Sequence, residues 1–122
     1  MSGIRWGLVL GGALLAEVGI AALVFPVRFF VSEEAFVASV PPACLVMTLV
    51  FGWWAGARVP TRAVLHGALV GVAAAVLYIL PTIGQTLPPG FLVAHVLKVV
   101  GGTAGGVIAA RRAAAASSSS VS

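Results

Sequence analysis

Few side chains in this 122-residue chain can do chemistry, and most of them fall inside apolar runs. Glu17 is the only ionisable residue between Leu8 and Phe25, while His95 and Lys98 stand one turn apart in the run from Phe91 to Ala110. Tyr78 and His66 lie in the run from Arg62 to Leu80. A carboxylate or ammonium at the centre of an apolar helix costs roughly 2.5 to 3.5 kcal/mol on insertion scales, so each is expected to face protein, a polar cavity or an opposite charge. Two opposite charges at one depth have two uses: an ion pair that fixes helix register, or a proton-linked site. His95, on the face that carries Lys98, reads either as a packing histidine or as a relay. Tyr78 could bring its hydroxyl to the same region as a further polar partner. No nucleophile and base pair, metal-ligand spacing or phosphate loop accompanies these residues, so no enzymatic activity, metal or cofactor is expected. Cys44 is the only cysteine and reads as a small packing residue.

The elements that must position these groups are membrane spans. The chain is 61% hydrophobic and 8% charged, against about 25% charged in soluble domains. The formal charge of +4 is spread singly over helix ends and loops, without the basic stripe or stacking platform of a nucleic-acid binder. Four apolar runs predict an all-α, integral membrane four-helix bundle over residues 1–110. Span one covers about 4–25 and is stopped by Pro26; Arg5 before an apolar run is also how a secretory leader begins, but the run continues past Glu17. Span two, 41–57, opens on Pro41 and Pro42 and closes on Trp53 and Trp54. Span three, 62–80, ends before Pro81, and span four, 91–110, ends at Arg111 and Arg112. Between spans one and two, 27–40 is expected to be a short amphipathic helix lying at the interface, beginning at Ser32. The stretch 111–122, AAAASSSSVS with two arginines before it, is expected to be a disordered tail.

At 1.5 Å per residue, Glu17 lies roughly 12 Å from the Phe25 end of its span, and Lys98 roughly 10 Å from the Phe91 end of its own. The depths match, which predicts that Glu17 and Lys98 meet across a contact between spans one and four, with His95 and Tyr78 nearby. His66 belongs near the opposite boundary, in a structural role. Gly67 and Gly71 on span three, and Gly102 and Gly106 on span four, make smooth stripes where another backbone can approach, within one chain or between two copies. Spans one, three and four are expected to pack closely through such residues. Arg5, Arg58, Arg62, Arg111 and Arg112 fall on one side and only Arg28 on the other, which places both termini in the cytoplasm and the chain in an inner membrane. The partners expected are the lipid bilayer, a second copy of the chain or another membrane protein, and no nucleic acid.

Two resemblances add to this. The string LGGALLAEVG, Leu10 to Gly19, resembles the first helix of small multidrug resistance transporters, four-span bacterial exporters whose glutamate in that helix binds protons and cationic substrate alternately. That resemblance implies that Glu17 is a coupling carboxylate. The run FGWWAGARVPTRAVLHGALVGVAAAVLYIL, Phe51 to Leu80, is similar to small four-helix bacterial membrane proteins without assigned function, and implies the fold but no chemistry. Two readings of function follow: a structural or accessory membrane protein whose buried pair fixes packing or a partner interface, and a small proton-coupled transporter.

Overall fold

The computed structural model describes residues 4–87 and 89–121, with side chains through 118. Four helices follow in order: α1 (Trp6–Phe30), α2 (Glu33–Ala57), α3 (Ala63–Thr82) and α4 (Pro89–Val121). All four are long and apolar enough to cross a membrane. Short connections make each helix antiparallel to the next, giving an all-α four-helix bundle.

The distribution of side-chain size says which solvent the bundle is built for. Its buried positions are mostly small, including Ala13, Ala16, Ala43, Ala55, Ala74 and Ala94. Its exposed positions are large and apolar, among them Leu10, Leu14 and Val18 on α1 and Leu92, Val96 and Val100 on α4. Soluble proteins put large apolar residues inside; lipid removes that drive and leaves close backbone packing to hold helices together. This is a multi-pass membrane protein.

The closest packing is built on α4. The face with Gly101 and Gly105 lies against α2, where a Cβ at Gly105 would meet the backbone of Leu49, Gly52 and Trp53. The adjoining face with Gly102 and Gly106 lies against α3, where Gly102 touches the backbone of Gly67 and Gly71, and Gly106 that of Ala63 and Val64. Both stripes are thus consumed within one chain. The expected close packing of span one on span four is not found. Among the described residues α1 approaches α2 and α3, whereas α4 lies diagonally opposite it, and α2 has the most extensive contact with α4.

Helix limits differ from those expected, and proline is the common reason. α1 runs through Pro26 to Phe30, α2 through Pro41 and Pro42, and α3 through Pro81 to Thr82. The segment 27–40 is therefore not a separate interfacial helix. Residues 27–30 close α1, and 33–40 form the first turns of α2. Ser32 caps that helix as its sequence suggests, its Oγ accepting from the Ala35 N–H at 3.0 Å, with Glu33 and Glu34 in the first turn. Proline is tolerated inside membrane helices because neighbouring groups re-satisfy freed carbonyls. At the end of α3, one residue beyond Pro81, the Thr82 hydroxyl donates to the Ile79 carbonyl at 2.9 Å and satisfies one of the last carbonyls of the helix. The expected disordered tail is also corrected: α4 continues through 111–121, and Ser122 lies outside the described residues. The run Ala113–Ala116 consists of the best helix former and prolongs a helix already nucleated in the bundle.

The glycines make a graded test. Gly105→Ala is expected to lower unfolding stability in detergent micelles by about 1–3 kcal/mol, because a new methyl group meets main chain that cannot yield. Gly11→Ala, with nothing within 4 Å of its new Cβ, is expected to leave stability unchanged or raise it by about 0.5 kcal/mol. Thermal unfolding followed by circular dichroism compares the two, and equal losses would contradict the packing described.

Candidate functional site

Lys98 enters the bundle from α4 with only 2% of its side chain exposed, and its ammonium donates to Glu17 Oε1 at 2.5 Å. The match in depth is therefore met by an actual ion pair. Since α1 and α4 are diagonal neighbours, the two side chains reach across the interior rather than across a helix contact. The ammonium has further company from α3: the Ala74 carbonyl accepts from it at 3.5 Å, and the Tyr78 ring lies beneath it at 5.0 Å. Tyr78 thus joins the cluster, but through its ring face rather than its hydroxyl. Such cation–π contact is strongest where the cation has lost its water. Glu17 is less enclosed, with 21% of its side chain exposed.

The pair forms part of the wall of a cavity of about 130 Å³ to which all four helices contribute. Most of the wall is apolar. Phe25 of α1 stacks on Phe36 of α2 at 6.1 Å, and Tyr78 of α3 stacks on Phe91 of α4 at 5.8 Å. His95 also lines it, with its ring tilted against Tyr78 at 5.2 Å. Both of its ring nitrogens are shielded and neither has a hydrogen-bond partner among the described residues. Cys44 packs at the same level and is buried. The chemistry available is therefore a fixed charge pair, one imidazole and aromatic faces, in a space of the size that holds a small apolar molecule. Among the described residues no group of three or more His, Cys, Asp or Glu could hold a metal ion.

Sequence reasoning brought Glu17, Lys98, His95 and Tyr78 together but missed Phe25, Phe36, Phe91 and the Ala74 carbonyl. A signal was present for one of them. Phe91 stands four residues before His95 and seven before Lys98, on the same helical face. Phe36 could not be found this way, because its segment was assigned to the interface. The four packing glycines, Gly67, Gly71, Gly102 and Gly106, lie in the α3–α4 contact and away from the cavity wall.

His66 is buried near the other end of the bundle, with 1% of its surface exposed. The Arg5 backbone N–H donates to its Nε2 at 3.0 Å, and its Nδ1 lies 2.8 Å from the Arg62 carbonyl. An N–H can only donate and a carbonyl can only accept, so in this arrangement Nε2 accepts and Nδ1 donates. The imidazole ties the start of α1 to the start of α3.

Four apolar helices around one enclosed charge pair define a multi-pass membrane protein with an intramembrane ion pair. In comparisons with protein-family models, curated proteins and solved structures, nothing matches the chain.

Removing either partner leaves the other charge unmet in the apolar interior. Glu17→Gln and Lys98→Met are each expected to cost about 3–5 kcal/mol, whereas the double variant, which removes both charges, should cost less than the two losses added together. Melting temperatures of the three variants in the same detergent check this, and strictly additive losses would contradict the pairing.

Proposed function

We propose that this chain is a structural or accessory protein of a bacterial inner membrane, without enzymatic activity, in which the Glu17–Lys98 pair fixes helix packing or an interface with a membrane partner. One observation carries this reading. The buried Lys98 ammonium is engaged by α1 and α3 at once, through Glu17, the Ala74 carbonyl and the Tyr78 ring. A cation held on several sides specifies which helices meet and at what register. Both termini lie in the cytoplasm in this reading, supported by the arginines that gather at one end of the bundle. The apolar outer faces contact lipid and are free to meet a second copy of the chain or another membrane protein.

A second reading is favoured by a separate observation. Glu17 keeps part of its side chain exposed and lines an aromatic-walled cavity beside His95. In a small proton-coupled transporter of the kind its first helix resembles, Glu17 would be the coupling carboxylate and Lys98 the charge that modulates it.

Exchange of the charges separates the readings. For a structural pair, Glu17→Lys combined with Lys98→Glu is expected to recover part of the stability lost in either single variant. Recovery should be incomplete, because the Ala74 carbonyl and the Tyr78 face favour a cation at position 98. For a transporter, purified and reconstituted protein should release protons when a cationic substrate is added, and Glu17→Gln should abolish the release. Proton release that is lost in Glu17→Gln and not regained in the exchanged variant would replace the structural reading.

A further inference from the structure

The end of the bundle remote from the cavity carries Arg5, Arg58, Arg62, Arg111 and Arg112. No carboxylate side chain lies there. Glu17 is held by Lys98, and Glu33 and Glu34 stand at the start of α2, at the opposite end. Among the described residues, Arg5, Arg58 and Arg112 make their contacts with neutral groups. Arg5 donates to the Arg58 carbonyl at 3.5 Å, Arg58 donates to the Trp54 carbonyl at 3.1 Å and lies over that ring at 4.5 Å, and Arg112 lies over Trp53 at 5.9 Å. Among the described residues none of these contacts neutralises the charge, which leaves the guanidinium groups able to take an anion.

The geometry at this end is concave. The close of α2, the 58–62 connection, the start of α3 and α4 border an open cavity of about 410 Å³, roughly three times the volume of that beside the ion pair. Gly56, Ala63 and Ala109 contribute to its surface and are too small to fill it, while Arg62, Arg112 and Trp53 also line it. Arg62 holds a left-handed backbone at φ 60°, ψ 38°, and is the only non-glycine residue at positive φ among the described residues. Glycine or asparagine would accept that conformation more readily. Tryptophan favours the headgroup level of a bilayer, and the planar guanidinium fork suits phosphate oxygens.

We propose that this cavity binds the phosphodiester headgroup of an anionic phospholipid, with Arg62 and Arg112 on the phosphate oxygens, Trp53 beside it at headgroup level, and the acyl chains left in the bilayer. Basic pockets between membrane helices take such headgroups by combining surface attraction with directed hydrogen bonds. The site is independent of the role of the Glu17–Lys98 pair and of which side of the membrane this end faces.

Native mass spectrometry of the detergent-purified chain, titrated with phosphatidylglycerol or phosphatidylcholine, tests it. One phosphatidylglycerol is expected to be retained per chain in preference to phosphatidylcholine. Arg62→Gln and Arg112→Gln should each weaken that retention about fivefold. Arg111→Gln removes the same charge from the neighbouring position but does not line the cavity, and should change retention less than about twofold. Equal losses in Arg111→Gln and Arg112→Gln, or no preference between the lipids, would overturn the site in favour of a diffuse basic surface. Displacement of the lipid by equimolar inorganic phosphate would overturn the lipid assignment in favour of a soluble anion. Should a glutamine variant fail to fold, the lysine variant at that position, which keeps the charge and loses the fork, is compared with Arg111→Lys by the same criterion.

Discussion

Because Gly101 and Gly105 carry no side chain, α4 lies directly against the main chain of α2, and because Gly102 and Gly106 carry none either, it lies as closely against α3. Lipid gives apolar helices no reason to associate for the sake of burying surface, so dispersion between closely apposed backbones has to supply the attraction. One helix with two adjoining smooth faces can hold two neighbours, and α1 then closes the bundle against α2 and α3. The position of every polar group in the interior follows from that arrangement. Lys98 stands one turn from Gly101 and Gly102, so the packing that seats those glycines also carries its ammonium inward, where Ala74, Tyr78 and Glu17 meet it.

The ion pair complements the glycine contacts. Glycine stripes are repetitive and would tolerate a slip by one turn, since Gly67 and Gly71, or Gly102 and Gly106, present similar surfaces four residues apart. A slip of four residues moves a helix by about 6 Å and would separate Lys98 from Glu17. The smooth faces bring the helices together, and the charges select one register among several. Because the pair spans the diagonal of the bundle, it constrains α1 and α4, which have no close backbone contact of their own.

How much of this could be read in advance divides along physical lines. The four apolar helices and the meeting of Glu17 with Lys98 were legible, because span length, helix rise and the cost of a lone intramembrane charge are general constraints that act residue by residue. The two faces of α4 were legible as stripes, but their partners were not, since a glycine records closeness without recording to what. Helix ends differ from expectation wherever proline is read as a boundary, a stop at Pro26 and Pro81 and a start at Pro41 and Pro42. That rule rests on a lost hydrogen bond and a steric clash, and a membrane helix with supporting neighbours absorbs both, as at Pro26, Pro41, Pro42 and Pro81. The error removed Phe36 from the interior and with it part of the aromatic wall. Tyr78 was placed correctly in depth, yet the use of its ring face rather than its hydroxyl depends on side-chain direction, which spacing does not encode.

The 81-residue separation between Glu17 and Lys98 has a consequence for biogenesis. A ribosome makes α1 long before α4, so Glu17 enters the membrane or its insertion machinery without the cation that later accompanies it. The leucines and valines around it, with Ile20, must carry α1 into the lipid unaided, and the two-residue connection to α2 lets those helices arrive together as a hairpin. The carboxylate then remains an unmet charge until α4 has been translated.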